Sequence, residues 1–334
     1  MNASLHSPVL GNAAASLVIG RPGGCAHICG LKLIAMTRLL FSVILCLAVT
    51  GSLFAQAPYT PFKGKVQSIQ LSTGVSLQYA EKGNANGIPV ILLHGYTDSW
   101  HSFETTLPFL PERMHVFALS QRGHGDSDKP GGNYHPKDFA ADIADFIKKK
   151  NLGQVVIVGH SMGGVIAQQF AITYPKLTRA LVVISSDIAM NNNPGMPEFH
   201  EEVKKLRDPI SPEFADGFQS STVFKPVDPA FHKIAVRESL KMPAHVWKQV
   251  AEGFLSVDFR KEIAGIQKPV LILWGDKDGI CSRAGQQLMS QTIWNSRLII
   301  YEETGHALHW EQPERFANDL VKFISENVTT IPSK

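Results

Sequence analysis

The chain has 334 residues, 44% hydrophobic and 18% charged, which is enough apolar material for one sizeable core and too much for a disordered segment. Its formal charge is +3, but residues 1–57 hold three of the 32 basic residues and none of the 29 acids, so 29 of each sign remain beyond them. That balance gives no reason to propose nucleic acid or an anionic membrane surface as a partner.

Met36-Thr37-Arg38 precedes a mostly apolar run, Leu39 to Val49, and a polar stretch then ends in Ala55-Gln56-Ala57. This is the charge, apolar core and A-x-A site of a secretory signal peptide, and the core falls short of the about 20 residues that a spanning helix needs. We expect a start at Met36, cleavage after Ala57, no stable membrane span in the mature chain and a periplasmic or secreted product. An uncleaved anchor, and a start at Met1 with an acid-free targeting extension, are the alternatives. Cys25, Cys29 and Cys46 precede the proposed site, so the mature chain keeps only Cys281 and forms no internal disulfide.

Residues 58–334 are expected to form one α/β domain, because strand-like and helix-like segments alternate from Val66 to Ile184. Val90 to Leu93 reads as a strand that delivers His94-Gly95-Tyr96. Arg122-Gly123-His124-Gly125-Asp126-Ser127 reads as a bracing turn, and Lys148-Lys149-Lys150 as the solvated end of a helix, favoured there by the helix dipole. The most informative stretch follows. Val155 to Val158 is a β-branched run expected of a strand buried on both faces, and Val165 to Tyr174 is a helix closed by Pro175. Between them lies Gly159-His160-Ser161-Met162-Gly163. A serine on so tight a turn is forced into a strained backbone, tolerable only with small neighbours, and its hydroxyl is lifted clear of the sheet.

A serine hydroxyl needs a base, an orienting acid and a pocket for the developing anion. Leu181 to Ile184 is a further strand. From Asp187 to about Gly265 the pattern breaks into a Pro-, Met- and Phe-rich segment without a buried strand. Lys268 to Gly275 is again a buried strand, delivering Asp276-Lys277-Asp278, and Ser296 to Tyr301 is the next, delivering Gly305-His306. The order Ser, Asp, His, each at the C-terminal end of its own strand, is the arrangement in which an open α/β sheet presents reacting groups. Asp276 and Asp187 compete as the acid, and His309 competes with His306 as the base. The backbone N–H of Met162, at the start of the helix after the turn, is a donor for an oxyanion.

At these residues the chain resembles the α/β-hydrolase fold superfamily, in its serine-nucleophile branch, from about Val66 to Ile324. The resemblance rests on the Gly-x-Ser-x-Gly turn, the His94-Gly95 pair, the Arg122 to Ser127 turn, and the glycine before His306 followed by Glu311-Gln312-Pro313. It implies a mostly parallel eight-stranded sheet flanked by helices, with a helical lid inserted between strands 6 and 7 at about 187–265. It implies Asp278 as the acid, because that residue lies three positions after the strand-ending glycine, and Asp276 as a loop-bonding residue. It makes the backbone N–H of Tyr96 the second oxyanion donor. His160 and His94 are then structural, His309 a helix-entry or surface residue, and Cys281 a packing residue.

The expected chemistry is hydrolysis of a carboxylic ester or lactone through Ser161, His306 and Asp278 and an acyl-enzyme. The substrate is expected to be small and apolar, with Phe218, Phe224 and Trp247 among its contacts. Family members with similar motifs also cleave amides and carbon-carbon bonds. The alternatives are therefore a carbon-carbon hydrolase of a diketone-like substrate, with Arg207, Arg237 or Arg260 binding a carboxylate, and a slow-turnover ligand-binding fold. No cofactor is implied, the hydrolase region carries no metal-ligand spacing or phosphate-binding glycine loop, and nothing in the pattern specifies an oligomer.

Overall fold

The structure, a computed structural model, describes residues 58–190 and 195–328. The expected signal peptide, its cleavage site and Cys25, Cys29 and Cys46 lie outside the described residues. Among the described residues no helix is long and apolar enough to cross a membrane.

Eight strands form one sheet: β1 (Lys65–Gln70), β2 (Ser76–Gly83), β3 (Ile88–Leu93), β4 (Met114–Leu119), β5 (Val155–His160), β6 (Thr178–Ile184), β7 (Val270–Gly275) and β8 (Ser296–Tyr301). Their order is β1-β2-β4-β3-β5-β6-β7-β8. β2 runs antiparallel to both its neighbours, and all pairs from β4 to β8 are parallel. The expected eight-stranded, mostly parallel sheet is therefore present.

Alternation along the strands explains how the core is divided. Val90 and Leu92 of β3 join one apolar layer, while Ile91 and Leu93 join the other. Helices α1 (Pro136–Lys149) and α2 (Met162–Thr173) cover the second face with Phe139, Ile143, Phe146, Val165 and Phe170. The first face is closed by α9 (Pro313–Asn327) through Phe316, Leu320 and Phe323. Burial on both faces is why these strands read as unbroken apolar runs. α1 begins at a capping box, with the His135 side chain accepting from the Lys137 N–H and Asp138 accepting from the His135 N–H, and Pro136 sits at the first helical position. Its last turn carries Lys148 and Lys149. Lys150, expected to be simply solvated, instead pairs with Glu81 and lies over the Tyr79 and Phe117 rings.

Between β6 and β7 the chain leaves the sheet and forms α3 (Met196–Lys205), α4 (Pro212–Ser220), α5 (Pro229–Leu240) and α6 (Ala244–Leu255). α7 (Arg283–Thr292) and the short α8 (Leu308–Glu311) follow β7 and β8. The turn at Arg122 braces this scaffold. Its guanidinium donates to both Asp142 oxygens at 2.6 Å and to the Asn133 carbonyl, while the Ser127 hydroxyl donates to the Ser120 carbonyl.

Candidate active site

Ser161 sits at φ 52° and ψ −115°, a backbone conformation that costs a non-glycine residue energy, directly between β5 and α2. The helix begins at Met162, three residues earlier than the apolar pattern indicated. The flanking glycines make the turn possible. A Cβ on Gly163 would run into the Leu93 and His94 carbonyl oxygens, and one on Gly159 into the Gly163 carbonyl. Two hydrogen bonds pin the strained residue: its N–H donates to the Ile184 carbonyl at 2.9 Å, and its carbonyl accepts from the Ser186 hydroxyl at 2.8 Å.

His306 and Asp278 meet as their chain order implied. The His306 Nδ1 lies 3.0 Å from each Asp278 oxygen, and the carboxylate also accepts from the Ile280 and Cys281 N–H groups at 2.8 and 2.9 Å. A carboxylate only accepts, so Nδ1 carries the proton and Nε2 the lone pair. Burial pushes the Asp278 carboxyl up, but the His306 charge and hydrogen bond and the two backbone N–H groups prevail and hold it below the ordinary carboxylate range. The His306 loop is fixed from below by Glu311, whose carboxylate accepts from the Gly305, Phe224 and Lys225 N–H groups. Asp276 stays in its loop, accepting from the Thr304 N–H and the Lys277 ammonium. Asp187 borders the same cavity, but the acid hydrogen-bonded to His306 is Asp278.

Ser161, Asp278 and His306 all open on one cavity of about 660 Å³, within the usual range for small-molecule sites. Tyr96 and Met162 border it beside Ser161. Met162 is the first helical residue, so its N–H has no acceptor within the helix. The walls are mainly apolar, with Ile188, Met190, Met196, Phe199, Phe218, Phe254 and Leu288 among them. The Tyr96 hydroxyl donates to the Trp247 carbonyl at 2.5 Å, and its ring packs edge-on to Phe199, Phe218 and Trp247. The loop after β3 is thereby tied to α3, α4 and α6.

Of the three aromatic residues expected to touch substrate, only Phe218 borders this cavity. Trp247 is completely buried one layer behind, its indole N–H donating to the Met242 carbonyl and its ring against Tyr96, Phe214 and Phe218. Phe224 is 47% exposed and does not border the cavity, because its backbone is held by Glu311 and its ring stands beside Lys277. His309 is not at the surface either. It is fully buried against Phe103 and His160 and hydrogen-bonded to the Ser102 hydroxyl, and burial together with the His306 charge pushes it down to about 3. His94 bonds backbone as expected, at the Gly95 carbonyl and the Gln121 N–H.

Asp278, Cys281 and His306 also place one donor atom each within 4.8 Å of one another, a grouping that sequence spacing did not reveal. Burial, with the charges of Asp278 and Asp187, pushes the Cys281 thiol well up, so it stays protonated, and it donates to the Ser185 carbonyl. Sequence reasoning missed Asp98 altogether. This carboxyl is buried at the cavity wall and accepts from the Gln219 amide at 2.9 Å and the Ser102 hydroxyl at 3.2 Å. The available signal was an acid four residues after His94, in a loop already expected to face the site.

A strained serine between a buried strand and a helix, and a histidine–carboxylate pair on the same cavity of a sheet in this order, define the hydrolase class built on an α/β sheet. The profile of the alpha/beta hydrolase fold matches residues 88–313, and the chain belongs to that family. It is 26% identical to Lipase 1 of Psychrobacter immobilis over 277 residues, covering 78% of this chain and 84% of the lipase. It is 28% identical to the 2-(acetamidomethylene)succinate hydrolase of Mesorhizobium japonicum over 75% of this chain and 92% of that protein. Among solved structures, the esterase of Exiguobacterium antarcticum superposes with a TM-score of 0.71 at 25% identity, over 78% of this chain and all of the esterase.

Proposed function

We propose that the chain is an exported serine hydrolase that cleaves a carboxylic ester or lactone with an apolar acyl part. The observation that carries this reading is the common opening of strained Ser161 and the His306–Asp278 pair on one largely apolar cavity. Lipase and esterase relatives support the ester class. His306 takes the proton from Ser161 as the oxygen attacks the acyl carbonyl, and Asp278 holds the tautomer and stabilises the imidazolium. The N–H groups of Met162 and Tyr96 receive the oxyanion. His306 then protonates the leaving oxygen, and water attacks the acyl-enzyme by the same steps in reverse.

The inserted helices act as the lid that selects the acyl chain. Each methylene moved from water into an apolar wall is worth about 0.8 kcal/mol, so activity should rise with chain length until the cavity is full. A panel of neutral esters and lactones of graded length tests this; equal rates at all lengths would contradict it. A carbon-carbon hydrolase of a carboxylated substrate is the second reading, and Arg260 is the one of the three candidate arginines that borders the cavity. Its guanidinium is engaged by Asp258 at 2.8 and 2.5 Å, which favours the neutral ester. Turnover of a carboxylated diketone that vanishes in Arg260→Ala, with neutral esters inert, would reverse that preference. Export is tested by N-terminal sequencing of protein from the periplasm or medium, which should begin at Pro58; a membrane-retained chain starting at Met1 or Met36 would indicate an anchor.

A further inference from the structure

Asp98 stands in the loop after β3, 4% exposed, and its hydrogen-bonding partners, the Gln219 amide, the Ser102 hydroxyl and the Gly95 N–H, include no cation. A carboxyl so placed is costly unless it serves another group. Its two oxygens are held from different elements, one by Gln219 of α4 and one by Ser102. The same Gln219 amide reaches the Ser239 hydroxyl of α5 at 2.7 Å and the Thr97 hydroxyl at 3.2 Å, so the carboxyl is locked into a buried network linking the inserted helices to the oxyanion loop.

Several imidazoles lie in the neighbourhood of Asp98. His306 shares the cavity, and a positive charge formed on it favours the Asp98 anion. His160, at the end of β5, packs against both the His306 and His309 rings. Its Nε2 faces the His306 carbonyl, an acceptor, so the proton sits there, and Nδ1 is a lone pair without a partner among the described residues. A carbon at the Cβ position of Gly95 would lie 2.7 Å from that nitrogen and 3.2 Å from the Asp98 Oδ2, which places both beside the oxyanion loop. His309 reaches Asp98 only through Ser102, and His101 and Glu238 border a small space on its other side.

We propose that Asp98 is a positioning residue, a second carboxylate that acts through His306 and steadies the imidazolium formed when Ser161 attacks. The proposal rests on the serine-hydrolase reading above. Gln219 keeps the carboxylate in place and favours its charged form, so α4 sets the proton affinity of the base as well as the cavity wall. Burial pushes Asp98 up to about 7, against the Gln219 and Ser102 hydrogen bonds and the His306 charge, so it changes charge in the range where the base must work. The two groups then titrate as a coupled pair.

The test is an NMR titration of the histidine rings in the full-length protein, which needs no substrate and so succeeds or fails apart from ester turnover. In the wild type the His306 ring should show a second inflection as Asp98 ionises. Asp98→Asn, which keeps shape and hydrogen bonding, should remove that inflection and move the His306 titration down by about one pH unit, the size expected for loss of a nearby opposite charge. Ester kcat/KM should fall roughly 5- to 30-fold with its acid limb moved to lower pH, as loss of about 1 to 2 kcal/mol of imidazolium stabilisation would give. Gln219→Leu should instead move the second His306 inflection, the one that follows Asp98, to higher pH, because the less stabilised carboxyl stays protonated longer. A single His306 inflection in the wild type would overturn the proposal even if both variants failed to fold. So would an unmoved His306 titration in Asp98→Asn, or losses of activity uniform across pH in both variants, as a merely structural role would give. If the coupling is seen but no ester or lactone turns over, the hydrolase reading fails and the Asp98–His306 link stands.

Discussion

At the residue scale Ser161 and His306 are proposed to act as one unit, and groups that do so lose activity together. Ser161→Ala and His306→Ala should each lower kcat by roughly 10⁴ to 10⁶, and the double variant should lose little more. Asp278→Asn should also be severe, since it offers Nδ1 the wrong partner, whereas Asp276→Asn, at a side chain hydrogen-bonded to Thr304 and Lys277, should be mild; steady-state kinetics of the five variants decides the ranking. This part of the site was legible because each group follows a strand, and because Gly159, Gly163, Gly275 and Gly305 near them lie where a Cβ would meet backbone. Asp98 and His309 were not. A lone aspartate or histidine in a polar run gives no sign of burial until distant elements, here α4 and the Trp100–Phe103 turn, close around it.

At the scale of elements, β3, β5, β6, β7 and β8 were readable from their apolar runs, as strands buried on both faces require, whereas the order of the sheet and the largely exposed β1 were not. The direction in which each aromatic residue of the insertion points was not readable, because any amphipathic helix must bury one face whether or not a substrate lies beyond it. The consequence is a division of labour between Phe218 and Trp247. Phe218→Ala should shift the chain-length optimum of ester hydrolysis toward longer acyl groups with a modest loss of stability. Trp247→Ala should cost about 3–5 kcal/mol of folding free energy, as large-to-small changes in a packed core do, and should act on selectivity mainly by loosening Tyr96. Denaturant melts and an ester panel run on both variants check this; a Trp247→Ala protein of unchanged stability would place that ring outside the core.

At the scale of the whole molecule, pH sets a balance among buried titrating groups. Burial pushes His124 down to about 4 and, with the His306 charge, His309 down to about 3. Between those values and the ordinary histidine value of 6.5 the unfolded chain binds more protons than the folded one. Stability therefore falls as pH drops, by about 1.4 kcal/mol per pH unit for each such group. Asp278, held low, adds loss in the same direction as pH falls through the carboxylate range. Asp98, pushed up to about 7, works against both: its contribution is present at low pH and is lost as pH rises from 3.8 to about 7. The histidines outnumber it, so Tm should fall between pH 7 and pH 5 by calorimetry, and a flat or rising Tm would mean that these imidazoles are hydrated or charged in the fold.

If Ser161 is a nucleophile activated by His306, as proposed, it can be trapped covalently. Purified protein treated with a fluorophosphonate should gain one adduct by intact mass, mapped by peptide sequencing to Ser161. Ser161→Ala should gain none, and His306→Ala should react far more slowly. Labelling at another residue, or undiminished ester turnover in a protein whose Ser161 is replaced, would contradict the account.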